Sequence, residues 1–173
     1  LFLPFSSEHL ISTSLANGYL LRPYSSEDQD GVVTLMHRAG FMEWDKEYLK
    51  RSLYLCVPKG FFVIVHVETG KIVAMMMARH MSDGAHPMGG RIDWLAVDPS
   101  HTGKGLGRCV AAAATNRLVE IGYPHIYVTT DDHRPAAIKV FLNIGYVPDL
   151  SRPGMRNRWD DICRRLKWTF QPD

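Results

Sequence analysis

The stretch from Arg91 to Gly122, RIDWLAVDPSHTGKGLGRCVAAAATNRLVEIG, constrains the fold most. It predicts a buried strand, a glycine-rich loop and a long helix. Strand alternation puts Ile92, Trp94 and Ala96 on one face and Arg91, Asp93, Leu95 and Val97 on the other. Asp98-Pro99 ends the strand, because proline cannot continue a central ladder. Leu106, Cys109, Val110 and Ala113 recur at i, i+3, i+4 and i+7, one apolar helix face. Gly122 suits the position just past the helix, and Pro124 forbids its resumption.

In the loop, Gly103, Gly105 and Gly107 alternate with Lys104 and Leu106. Without Cβ atoms the backbone can approach a ligand and aim successive N–H groups at it. The unpaired N–H groups of the helix start favour anions, and Lys104 and Arg108 add charge. Such a site suits a phosphate or pyrophosphate. A P-loop is excluded: Gly105 follows Lys104 where Ser or Thr is required, and no glycine stands five residues before Gly103. A dinucleotide fingerprint is excluded too. Its third glycine would fall on Arg108 when counted from Gly103, or on Val110 when counted from Gly105.

The stretch resembles motif A of the GNAT superfamily of acyl-CoA-dependent N-acyltransferases, a strand of type L-A-V-x-P followed by Arg/Gln-x-x-Gly-x-Gly/Ala opening a helix. Here it reads Leu95-Ala96-Val97-Asp98-Pro99 and then Thr102-Gly103-Lys104-Gly105-Leu106-Gly107. Thr102 replaces the Arg/Gln and keeps a hydroxyl donor without a charge. A second family pattern, A-I-x-x-[YF]-x-x-x-G-[FY], is matched from Ala137 and Ile138 through Phe141 to Gly145 and Tyr146. The two motifs occur in the family order across residues 91–146.

The resemblance implies acetyl-CoA as co-substrate. The pantetheine arm would pair with the backbone of Leu95, Ala96 and Val97, past a bulge where the central strand splays from its neighbour. The pyrophosphate would sit on Gly103, Lys104, Gly105, Leu106, Gly107 and Arg108, with Thr102 beside them. Arg134 stands where the family often has an asparagine that contacts the cofactor, and it could reach a phosphate. Phe141 stands where many members have a tyrosine able to protonate the leaving sulfur.

Length and composition set outer bounds. At 173 residues, 46% hydrophobic and 22% charged, the chain reads as one domain over 1–173 with an ordinary globular core. A net charge of +2 does not suggest a nucleic-acid partner. No apolar run is long enough to span a bilayer, and Leu1-Phe2-Leu3-Pro4-Phe5 lacks the regions of a signal peptide. Cys56, Cys109 and Cys163 are odd in number and have no C-x-x-C spacing, which favours a reducing, cytoplasmic setting and no structural zinc. His80 and His86 around Asp83 make a poor metal signature, so no metal is expected.

In chain order, Leu10 to Leu15 and Gly18 to Tyr24 read as a hairpin around Asn17-Gly18. A helix capped by Ser25 or Ser26 runs to about Ala39, and a second short helix carries Trp44, Tyr48, Leu49 and Leu53. Strands follow from Gly60 to Val67 and from Lys71 to Met81, the latter with a buried Met75-Met76-Met77 run. Past the long helix come a strand from His125 to Thr130, a helix from about His133 to Ile144 and a strand from Tyr146 to Leu150. GNAT domains often end in two antiparallel strands. Here Ser151 to Gly154 breaks the chain, and Trp159, Ile162, Cys163 and Leu166 predict a helical extension over about 156–168. It either packs on the domain edge or forms a dimer contact.

The expected architecture is therefore α/β (α+β), a GNAT-type mixed, largely antiparallel central sheet flanked by helices, with an additional C-terminal helix. Acyl transfer requires a deprotonated amine, and a lysine-like amine has a pKa of ~10.4 in water. It also requires a preorganised donor for the oxyanion. Asp93 is a candidate base, or else the ion-pair partner of Arg91. Asp131 is a second candidate, with a helix cap at Asp131 or Asp132 as the alternative, and the base could act through water. Glu43 and Asp45 could meet a cationic substrate or simply be solvated. The expected function is acetyl transfer to a primary amine of a small molecule, amino acid or peptide by a monomer or homodimer, with no nucleic-acid or membrane partner. A non-catalytic acyl-CoA sensor is the alternative.

Overall fold

The computed structural model describes residues 1–4, 10–84 and 86–169. Its elements are β1 (Tyr19–Pro23), α1 (Gln29–Arg38), α2 (Lys46–Tyr54), β2 (Cys56–His66), β3 (Lys71–His80), β4 (Gly89–Val97), α3 (Leu106–Ile121), β5 (His125–Tyr127), α4 (Pro135–Asn143) and α5 (Met155–Leu166). The strands form one sheet in the order β1-β2-β3-β4-β5. Neighbours run antiparallel except β4 and β5, which are parallel. The sheet is thus mixed and largely antiparallel, as the sequence predicts.

Both faces of the sheet are covered. Val73, Met76, Ile92 and Leu95 pack with Leu106, Val110, Ala114 and Phe141 of α3 and α4. Phe61, Val63, Met75, Met77 and Ala96 pack with Val32, Leu35, Met36 and Leu49 of α1 and α2. The methionine run therefore alternates between two cores, and all three side chains are buried. Each such burial is worth about 1.5–3 kcal/mol. In α3, Ala111 to Ala114 are all buried, and their small side chains let the helix lie close on the sheet.

β4 departs from simple alternation. Met77 pairs with Asp93 and Met75 with Ala96, so Trp94 and Leu95 together face Met76. This is a β-bulge, and Trp94 takes the left-handed conformation, φ 63°. The extra residue resets the faces. Ile92 and Leu95 join the α3 side, whereas Trp94 and Ala96 join the α1 side. Asp93, opposite Met77, lies on the α1 side, and the expected sharing of a face by Asp93 and Leu95 is corrected.

Four other expectations change. Residues 10–15 are not a strand: Asn116 of α3 brackets Ile11, accepting from its N–H and donating to its carbonyl, both at 2.8 Å. β1 pairs with β2 instead, and Gly18 still turns at φ 85°. The expected strand from Tyr146 to Leu150 reduces to one bridge between Val147 and Phe2. Phe2 also bridges Tyr127, so residues 1–3 fill the space beside β5. The strand from His125 stops at Tyr127 rather than Thr130, and α4 is capped by Arg134 rather than by an aspartate side chain.

The predicted C-terminal helix is present as α5. Trp159, Ile162 and Cys163 pack on Ile138 and Leu142 of α4, the edge-packing alternative. Cys56, Cys109 and Cys163 are all free thiols. Among the described residues no group of side chains could hold a metal ion, and no helix is long and apolar enough to cross a membrane.

Candidate active site

The sheet opens at its parallel pair. β4 and β5 pair only at Gly89–His125, Gly90–Ile126 and Arg91–Tyr127. Beyond that point β4 stays on β3 up to Val97, while the chain after Tyr127 leaves the sheet. Among the described residues no strand pairs with the β5-facing edge of β4 from Ile92 to Val97. The bulge at Trp94 belongs to the β3–β4 ladder and falls just past the last β4–β5 pair, Arg91–Tyr127.

The glycine loop follows at the end of that edge. Gly103 and Gly105 both have φ 75°, which favours glycine, and a Cβ on either would meet nothing within 4 Å. Gly105 is the N-cap of α3, and no side chain caps it. The first N–H groups of such a helix end lack intrahelical partners. Gly107 is not sterically required: a Cβ there would make ordinary contacts, 3.4 Å from Val97 and 3.5 Å from Val140. The loop thus offers bare backbone donors and a helix N-terminus to an open space, the features an anion requires.

The charged side chains predicted for this loop are turned to other partners. Lys104 Nζ donates to the Tyr19 hydroxyl at 2.9 Å, and that hydroxyl lies 2.9 Å from His101 Nδ1. Arg108 donates to the Ser12 carbonyl at 3.3 Å, and the Thr102 hydroxyl to the Pro99 carbonyl at 3.1 Å. Lys104 and Thr102 are exposed and Arg108 is half-buried, so each can exchange its present acceptor for a ligand oxygen.

Arg134 lies across the cleft. Its Nη2 donates to the Leu95 carbonyl at 3.2 Å, and its guanidinium sits 4.9 Å from the Phe41 ring centroid. It therefore holds one of the β4 groups expected to meet the pantetheine arm, rather than a phosphate position. Burial pulls the His101 imidazole below its ordinary pKa, and the Lys104 charge adds to the effect.

Asp93 is engaged from two sides. Its Oδ2 accepts from Arg91 Nη2 at 2.6 Å and Nε at 2.9 Å, and from Arg79 Nη1 at 2.8 Å. Arg79 was not singled out in the sequence, although an arginine ending the apolar run Ile72–Ala78 signals a buried partner. Asp131 is exposed beyond β5, and its carbonyl accepts from the Arg134 N–H. Asp132 is tied to Arg158 of α5 at 2.8 Å, and those hydrogen bonds hold its carboxyl below the usual range. Asp45 caps α2, accepting from the Tyr48 N–H at 2.6 Å, and Glu43 is exposed.

Phe141 is core. It is 2% exposed, and its ring lies 6.0 Å from that of Tyr146. The Tyr146 hydroxyl pairs with Thr115 at 3.0 Å, and burial pushes its pKa up. Tyr127 donates to the Met81 carbonyl at 3.0 Å, and burial raises its pKa as well. His86 stacks on Tyr127 at 4.0 Å and lies 2.9 Å from Asp83, while His80 lies 3.0 Å from the Tyr123 hydroxyl.

A bulged central strand splaying over a glycine-rich helix N-terminus defines a class of proteins built to hold an extended, phosphate-bearing ligand between two strands. The family model described as "Acetyltransferase (GNAT) family" matches residues 30–146. The chain belongs to the GNAT acetyltransferase family.

Among curated relatives, the mycothiol acetyltransferase of Thermobifida fusca (strain YX) is 29% identical over 94 residues, 51% of this chain and 29% of the relative. That of Nocardia farcinica (strain IFM 10152) is 22% identical over 142 residues, 76% of this chain and 46% of the relative. The chain thus spans under half the length of either. Two solved structures share the fold. The ribosomal-protein-S18-alanine N-acetyltransferase from Escherichia coli has TM-score 0.62 and 17% identity, covering 76% of this chain and 79% of its own. Ard1 from Thermoplasma volcanium has TM-score 0.65 and 17% identity, covering 76% and 84%.

Proposed function

We propose that this chain transfers an acetyl group from acetyl-CoA to a primary amine by direct attack. The observation that carries the reading is the unpaired β4 edge, Ile92 to Val97, leading into the uncapped N-terminus of α3. A pantetheine arm has amide groups that can pair with such an edge, and a pyrophosphate suits the Gly103–Arg108 backbone. The residues fit the cofactor, provided that Arg134 releases the Leu95 carbonyl.

Acetyl-CoA supplies an activated acyl thioester. The chain's part is to align it against the β4 backbone, where an N–H beside the bulge can stabilise developing negative charge on the acyl oxygen. Asp93, already paired with two guanidiniums, fixes charge beside the cleft. Asp131, exposed past β5, is left to accept the amine proton, directly or through water.

Phe141, Tyr146 and Tyr127 offer no free phenol. A sulfur resembling cysteine, pKa ~8.5, then leaves unprotonated at pH 7, which forgoes roughly 1.5 pKa units, or about 2 kcal/mol. That is a modest share of an enzymatic rate enhancement.

Calorimetry with acetyl-CoA tests the cofactor site. Gly105→Glu places a carboxylate where the phosphates would sit, so a folded variant should lose binding that the parent shows. Equal affinity in both would remove the loop from the proposal. A screen of amines followed by free-thiol release tests transfer; binding with no turnover on any acceptor would favour an acyl-CoA sensor.

A further inference from the structure

On the α2 side of the bulge lies a cleft of ≈ 280 Å³ lined by Tyr48, Arg51, Ser52, Arg79 and Trp94. It adjoins the β4 edge, since Trp94 directly precedes Leu95. None of the lining side chains is acidic, and all five carry hydrogen-bond donors.

Two of the donors are out of water and unsatisfied. Arg79 is 9% exposed, and its Nε has no hydrogen-bond partner; neither has Nε1 of Trp94. Most buried polar groups are paired, so an orphaned guanidinium N–H and an orphaned indole N–H on two residues that line one cleft call for an explanation. Trp94 is held in place by Phe41, Trp44 and Tyr48, whose ring centroids lie 5.8, 5.0 and 5.6 Å from its own. Its conformation, with φ 63°, is one that a bulky residue rarely adopts.

The charge balance points the same way. Arg79 and Arg91 share the single carboxylate of Asp93. Arg51 is exposed, with its guanidinium 5.5 Å from the Tyr48 ring centroid, and it has no carboxylate partner among the described residues. The cleft is thus lined by two guanidiniums, one sharing its carboxylate with Arg91 and the other with none among the described residues.

We infer that the amine acceptor carries an anionic group, a carboxylate or a phosphate monoester, and that Arg79, Trp94 and Arg51 hold it in this cleft. The inference rests on the transferase reading above and deepens it. The anion accepts from the Arg79 and Trp94 donors after a small side-chain adjustment, and Arg51 closes over it from α2. The group becomes a charge-assisted anchor that sets the amine against the β4 edge. An acceptor lacking it leaves the donors unpaired, which is a strong source of discrimination.

The test uses matched amines: β-alanine against propylamine, and O-phosphoethanolamine against ethanolamine. Two readouts are taken, kcat/KM with acetyl-CoA and the indole N–H resonance of Trp94 in 15N-labelled protein, assigned with Trp94→Phe. At least one anionic amine should shift that resonance and exceed its neutral partner in kcat/KM by roughly 10-fold or more. The carboxylate and phosphate arms identify which anion is preferred. Arg51→Gln, an exposed change that leaves the core untouched, should shrink the ratio by about 3-fold or more. Equal kcat/KM within both pairs and an unmoved Trp94 resonance would overturn the anion site while leaving the transferase reading intact. A Trp94 shift without acetylation of any amine would support the anion site and sink the transferase reading. No shift and no turnover would overturn both.

Discussion

Asp98 accepts four hydrogen bonds: from Arg38 Nε at 2.6 Å and Nη2 at 2.9 Å, and from the Ser100 hydroxyl at 2.6 Å and its N–H at 2.9 Å. It ties the short 3-10 turn Pro99–His101, which feeds the glycine loop, back to α1. The Arg38 guanidinium holds the Asp98 carboxyl well below the usual carboxylate range. Asp28, hydrogen-bonded by Arg22, is lowered in the same way. With folded values below unfolded ones, these groups contribute stability above pH ~4, and the contribution fades as pH falls. Asp98→Asn should melt a few degrees lower than the parent at pH 7, and the gap should narrow below pH ~4. Thermal melts across pH 7 to 3 check this; a constant gap would refute the linkage. The sequence marked Asp98-Pro99 only as the end of a strand. Its partner Arg38 lies 60 residues away, and no local pattern joins the two. Asp93 was half legible, because its i−2 neighbour Arg91 is visible in the strand pattern, but Arg79 reaches it only through the pairing of β3 with β4.

At the scale of elements, the legible parts were those with a strong period. β3, α3 and α5 fall within two residues of their predicted bounds, since apolar repeats and the glycine signals at Gly105 and Gly122 mark them. The bulge in β4 was not legible in the face pattern, because alternation assigns every residue a face and cannot show that two residues oppose one. The bridges from Phe2 to Tyr127 and Val147 were also hidden, as they join segments more than a hundred residues apart. Residues 1–3 and α5 together finish the β5 end of the molecule, where family members often carry two further strands. Trp159 is the principal anchor of α5, 5% exposed and packed with Ile162, Cys163 and α4. The Asp132–Arg158 pair is exposed and adds little beside it. Trp159→Ala should therefore cost about 3–5 kcal/mol in denaturant unfolding. Trp159→Phe keeps most of the packing and removes an indole N–H that has no partner, so it should cost clearly less. Equal losses would mean that the indole, not its bulk, anchors the helix.

Seen whole, the molecule is a continuous antiparallel block, β1 to β4, joined to the β5–α4–α5 end by three β4–β5 residue pairs, by α3 and by Arg134. Past Arg91 and Tyr127 the two parts share no strand hydrogen bonds among the described residues. A ligand lying along β4 and reaching the α3 N-terminus adds bonds that span the division and that the unfolded chain lacks. Such binding stabilises by mass action. At 100 times its dissociation constant, acetyl-CoA should add ~2.7 kcal/mol. For a chain of this size each kcal/mol shifts Tm by roughly 2–4 °C, so a rise of about 5–11 °C is expected. In Gly105→Glu the rise should vanish, because the left-handed backbone at φ 75° disfavours the side chain and its charge opposes the phosphates. Arg134→Ala separates two roles for the bridging guanidinium. If Arg134 chiefly links β4 to α4 in the free protein, the variant should melt lower alone yet gain more from acetyl-CoA, since the Leu95 carbonyl is already released. If Arg134 moves to a phosphate on binding, the gain should shrink instead. Differential scanning fluorimetry of the parent and both variants, with and without acetyl-CoA, decides between them. A parent with no rise at saturating acetyl-CoA would remove the cofactor from the cleft.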